Sequence, residues 1–290
     1  MKTIFKAVLA ITILNSSAAI HAQEETVTSG GGSAEALATS SLTDFELGDE
    51  QMDAVTGMSS APVDLTGTWV SIVNEDWRFR MVTPQIGDLA NIPENEVSRE
   101  YAMNWTPEMD QGNECRAYGA PAIMHEPGRI KISWEDDVTL KLELDAGHQT
   151  RYFHFDPNVE SGAPSRQGHS FAQWESPRGA QVAAEVSNVV PIGMQFPRPE
   201  MVSNALQVVT NNLIPGYLRK NGIQHSGQTE YREYFNLITI ANGTSWLVVD
   251  GIVEDPVYLS TDWVTSMNFK KEPDDSKWNP QDCFVTNPGW

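Results

Sequence analysis

Asp64-Leu65-Thr66-Gly67-Thr68-Trp69-Val70-Ser71-Ile72-Val73 decides the reading of this chain. A glycine stands at the entry of an extended run, where a backbone without Cβ can turn sharply into a strand. Two residues later comes a tryptophan, large enough to plug the end of a barrel or sandwich with its apolar face. The residues after Pro62 carry the same β texture to the C-terminal region. Ile130, Ile132 and Trp134 alternate with Lys131 and Ser133. Val138, Leu140, Leu142 and Leu144 alternate with Thr139, Lys141 and Glu143. Arg151, Phe153 and Phe155 alternate with Tyr152 and His154. Period-two alternation joined by tight turns means strands with two distinct faces.

The same reading places strands at Trp77–Val82, Arg116–Met124, Ser170–Trp174, Val202–Asn211, Thr229–Ile238, Trp246–Val253 and Trp263–Phe269. Asn221-Gly222 and Asn242-Gly243 are hairpin turn signals. Val97, Tyr101 and Trp105, spaced by four, predict a short helix within 93–105 that lies over the mouth of the sheet. Residues 156–200 carry six prolines and no period, and read as a lid or binding loop. The expected fold is all-β: an antiparallel up-and-down β-barrel of about ten strands with one covering helix, closed so that no edge is exposed. A two-sheet sandwich is the alternative.

Residues 1–22 read as a secretory signal peptide: Lys2 and Lys6, the apolar run Ala7–Leu14, then small residues up to Ala22. Residues 23–61 read as an acidic, Gly/Ser-rich linker, with a weak helical turn possible in 42–57. The barrel domain then takes residues 62–290. No segment has the ~18 apolar residues of a spanning helix. The 19 basic residues are outnumbered by 39 acidic ones, for a net charge of −20. Such a balance argues against nucleic acid and anionic membranes as partners. It suits a periplasmic or secreted protein.

Gly67-Thr68-Trp69, the meander and the secretory address together resemble the lipocalin-like, or calycin, barrels. That resemblance implies a tryptophan closing the barrel floor under a cation from the last strand. Lys270 and Lys271 stand near that place, and no arginine does. Glu75–Pro84, Cys115–Ala120, Gln149–Phe155, Pro215–Gly222 and Asn279–Cys283 also resemble segments of an uncharacterised family of secreted bacterial proteins. That second resemblance implies no activity.

Cys115 and Cys283 are the only cysteines, and an exported chain pairs them as one disulfide. No histidine spacing suggests a metal site, and no phosphate loop, nucleophile elbow or dinucleotide fingerprint implies a cofactor. His154 is the candidate general acid or base, with Glu233 or Asp250 as its carboxylate partner across the barrel. Arg78, Arg80 and Arg151 are candidates to anchor an anionic head group, with Tyr152 and Trp69 lining the same site. The leading expectation is a small, mostly apolar or amphipathic ligand held in the lumen. A cofactor-independent lyase, isomerase or hydrolase, and a structural surface protein, are the alternatives.

Overall fold

A computed structural model describes residues 57–175 and 205–285. Residues 1–56, which hold the expected signal peptide and most of the expected linker and helical turn, and residues 176–204 of the expected loop lie outside the described residues. The last expected linker residues sit on the barrel, the Met58 N–H donating to the Asp137 carbonyl at 3.0 Å and the Trp174 indole N–H to the Gly57 carbonyl at 2.8 Å. Among the described residues nine strands, numbered in chain order with the ranges given next, close into a barrel in the order β1-β11-β10-β9-β6-β5-β4-β3-β2. In chain order these are β1 (Gly67–Ile72), β2 (Arg129–Asp136), β3 (Thr139–Leu144), β4 (Gln149–His154), β5 (His169–Trp174), β6 (Ala205–Asn211), β9 (Glu230–Thr239), β10 (Ser245–Glu254) and β11 (Trp263–Lys271). β7 (Gly216–Arg219) and β8 (Ile223–His225) form a separate hairpin through the Asn221-Gly222 turn.

The chain is all-β with few short helices, as expected, but it is not antiparallel throughout. β4 and β5 pair in parallel, through Phe153–Ser170 and His154–Phe171. A closed ring with an odd number of strands cannot alternate direction everywhere, so one parallel joint is a topological necessity. Residues 155–168 supply it by crossing back along the barrel before β5 begins.

The alternation read from the sequence sets the two faces. Leu140, Leu142, Phe153, Leu206, Val208, Phe235, Leu247, Val249, Met267 and Phe269 point inward and are buried to the last percent. Trp69 joins them, fully buried, with its indole N–H donating to the Leu65 carbonyl at 3.0 Å. Lys271, its register partner on β11, holds its ammonium 5.2 Å from the Trp69 ring centroid. The last-strand cation over the first-strand tryptophan is thus present as lysine.

Two stretches expected as strands are helical instead. Trp77–Arg80 is a single helical turn, α1, entered through Asp76 at φ 47°. A four-residue turn is too short to show a 3.6-residue period, so its apolar-basic alternation imitates a strand. Arg116–Met124 is a 3-10 turn at Glu114–Ala117 followed by the short helix Ala120–Ile123, here α3, with Pro121 in its first turn. The expected helix is present as α2 (Glu96–Asn104), capped by the Asn95 side chain, which accepts from the Ser98 N–H at 3.1 Å. Its buried face is Ser98 and Ala102, whereas Val97 is exposed.

The joins from β1 to β2, β6 to β9 and β10 to β11 all fall at one end of the barrel, so α1, α2, α3 and the β7–β8 hairpin gather there as a cap. A second apolar cluster, including Leu89, Ala102, Leu218, Ile223 and Trp263, binds this cap to the strand ends.

Candidate functional site

Inside the barrel, Arg151 and Glu233 form a bidentate ion pair with both side chains wholly buried. Nη1 donates to Glu233 Oε1 at 2.9 Å, and Nη2 donates to Oε2 and to Thr210 Oγ1. Thr210 Oγ1 in turn lies 2.7 Å from Ser170 Oγ. Burial opposes the Arg151 charge, but the Glu233 carboxylate overcomes it and raises the pKa of the guanidinium. Burial, with Glu233 beside it, raises the Tyr231 hydroxyl as well. This polar layer lies between the apolar cluster of Phe153 and Phe235 and the cap cluster that contains Tyr231. Arg151 is therefore spoken for by a protein carboxylate. The apolar residues around it have at most 2% accessible surface, and Arg151 Nε is packed among them without a hydrogen-bond partner. Among the described residues, side chains fill the barrel at the level of this pair.

The residues expected to act together do not meet. Arg151 and Glu233 face inward, while Tyr152 is exposed and His154 half-buried on the outer face of β4. His154 stacks on His169 at 5.3 Å, and burial together with that second ring lowers its pKa. Asp250 lies on the outer face of β10, three strands beyond β5. His154 thus has neither carboxylate across from it. Trp69 is core. Arg78 is exposed and paired with Asp88.

Arg80 is different. The α1 turn carries it inward to the cap, where it is buried. Its Nε donates to the His125 carbonyl at 2.9 Å and its Nη2 to Ser71 Oγ at 3.0 Å. Its third nitrogen, Nη1, is buried without a hydrogen-bond partner. Arg219, at the end of β7, is equally buried. Its guanidinium stacks 4.0 Å from the Phe79 ring centroid and Nη1 donates to the Ala90 carbonyl. Its Nη2 is likewise without a partner.

Both arginines line one cavity of about 280 Å³ in the cap. His125 stands in it, stacked on Trp263 at 5.0 Å. Lys220 closes one side, paired with Glu126 at 2.6 Å and poised over the rings of Tyr118 and Phe284. The disulfide between Cys115 and Cys283 holds the tail so that Phe284 forms part of the wall.

Charge is out of balance here. Burial lowers the pKa of Arg80 and pushes Arg219 down to about 10, against the pull of Asp76 and its acidic neighbours. Burial, with Arg80 and Arg219 adding to it, pushes His125 down to about 3, so that imidazole is neutral at ordinary pH. Burial raises Glu126 despite Lys220. A desolvated guanidinium with an idle N–H is a costly state that an anion relieves.

Sequence reasoning placed Arg80 among the anchors but missed Arg219, Lys220 and His125. The Asn221-Gly222 turn was the available clue, since a tight hairpin fixes where the two preceding cations point. No protein-family model, curated protein or solved structure matches the chain. The closed barrel is compatible with a calycin-like fold.

Proposed function

We propose that this chain is an exported binding protein that takes a small amphipathic anion in the cap of its barrel rather than in the lumen. The observation that carries the reading is that Arg80 and Arg219 line one cavity, and that each also has a guanidinium nitrogen, Nη1 and Nη2 respectively, packed in the protein without a hydrogen-bond partner. The two guanidinium groups supply the positive charge that a carboxylate needs, and a small side-chain rotation would turn the packed nitrogens to it. Phe79, Leu218, Trp263 and Phe284 offer the remaining surface to an apolar body. Export rests on the N-terminal signal pattern, and the Cys115–Cys283 disulfide fits an oxidising compartment. No helix among the described residues is long and apolar enough to cross a membrane.

The test is isothermal titration of the purified protein with hexanoate and with hexanamide. The acid should bind and the amide should not. Arg219→Gln and Arg80→Gln should each lower hexanoate affinity by about 10- to 100-fold, the value of one charged hydrogen bond. Equal affinity for acid and amide, or unchanged affinity in both variants, would refute the reading.

A further inference from the structure

The cap cavity does not end at its cationic wall. A second cavity, of about 330 Å³, shares Thr83 and Pro84 with it and is otherwise lined by Trp77, Arg78, Val82, Gln85 and Asp88. Its only charged side chains, Arg78 and Asp88, are paired with each other. Along the same segment the chain holds four large apolar side chains out to solvent: Trp77 at 63%, Met81 at 59%, Val82 at 48% and Ile86 at 42% exposure. So dense an apolar display on ten residues needs an explanation that scattered surface residues do not. The αL entry at Asp76 and the one-turn helix hold Trp77 outside while Phe79 and Arg80 line the cavity. The same turn thus serves both cavities.

Resting on the carboxylate site proposed above, we infer that the ligand is a monocarboxylic acid with an extended apolar chain, its tail crossing the Thr83–Pro84 ridge to lie against Trp77 and Val82. The two halves of the site then match the two halves of the molecule. The buried arginines take the head, and the groove removes the tail from water. A compact dianion fits less well. Lys220, the third cation of the head site, is already committed to Glu126, and a polar ligand leaves the second cavity unused.

The test is calorimetric titration of the full mature chain with straight-chain acids from butanoate to dodecanoate, kept below their micellar concentrations, with the matching alcohols as controls. Affinity for the acids should rise about two- to fourfold per added methylene once the chain passes the ridge, then level off. Val82→Asp and Trp77→Ser, both at exposed positions, should abolish that rise while leaving butanoate affinity unchanged. Long acids should also shift Trp77 emission to the blue. Butanoate binding with no gain from added length, or a gain that survives both substitutions, would overturn the tail site and leave the arginine site standing. Failure of every acid to bind would overturn both.

Discussion

Glu233→Gln removes the charge that holds Arg151 inside the barrel while preserving the shape of the side chain. Both partners are wholly buried and joined by two hydrogen bonds, so the substitution strands a guanidinium where no water reaches it. Breaking a buried pair from one side costs about 3–5 kcal/mol. That is a large part of the 5–15 kcal/mol that holds a typical domain together. For a domain of this size each kcal/mol moves the melting point by about 2–4 °C, so a fall of roughly 6–20 °C is expected. Arg151→Met combined with Glu233→Leu removes both charges and should return stability to within about 1–2 kcal/mol of the starting protein, or above it. Urea unfolding and calorimetry on the two single variants and the double variant measure the coupling directly. If Glu233→Gln melts like the parent, or the double variant is as damaged as the singles, the pair is not the closed structural layer described above. Arg151 would then be available to a ligand.

The disulfide closes a loop of 168 residues, and Cys115→Ser with Cys283→Ser should destabilise by on the order of 5 kcal/mol in the chain-entropy treatment. Melting of oxidised and reduced protein checks it, and because the bond also seats Phe284, hexanoate affinity should fall on reduction. His225 is buried against the Ser226 carbonyl, and burial pushes it down to about 4. The unfolded chain therefore binds more protons than the folded one between about pH 4 and 6.5, so stability rises with pH through that window. Acidifying from pH 6.5 to 4 should cost about 3 kcal/mol through this group, and His225→Gln should reduce the slope of urea midpoint against pH by about half, the rest coming from His125. Gly222 sits at φ +85°, and an added Cβ would lie 2.4 Å from the Trp105 ring. Gly222→Ala should cost about 2 kcal/mol or more, read as a lowered melting point, and should weaken ligand binding by moving Arg219.

The barrel was legible because its strands each bury one face. In Leu140-Lys141-Leu142-Glu143-Leu144 the period of two is unbroken, whereas in Tyr231-Arg232-Glu233-Tyr234-Phe235 the inward Glu233 interrupts it. Register follows from the pattern. The hairpin turns at Asn221-Gly222 and Asn242-Gly243 were equally plain. What escaped was the cap. Its elements are single turns, too short for periodicity, and Trp77-Arg78-Phe79-Arg80 alternates for reasons unrelated to a sheet. Pro121, placed in the first turn of α3, was the one local sign of helix in 116–124.

The parallel joint between β4 and β5 was invisible because direction leaves no trace in two residue pairs. The inward alternation also has a consequence for function. Arg151 and Glu233 were both marked as candidate site residues, yet opposite charges facing each other across a narrow apolar lumen satisfy one another. Arg80 on α1 and Arg219 on β7 bond instead to carbonyls and a hydroxyl, because among the described residues the cap brings no carboxylate into contact with either. The cap cavity thus gathers Arg80, Arg219 and Lys220 against only Asp76 and Glu126.

The most direct measurement is a crystal structure of the protein with 6-bromohexanoate, with the bromine located by its anomalous signal. The carboxylate is expected in the cap cavity against the Arg80 and Arg219 guanidinium groups, with the bromine at or beyond the Thr83–Pro84 ridge. A carboxylate bound against Arg151 inside the barrel would contradict the central claim, as would a saturated crystal with no acid in the cap.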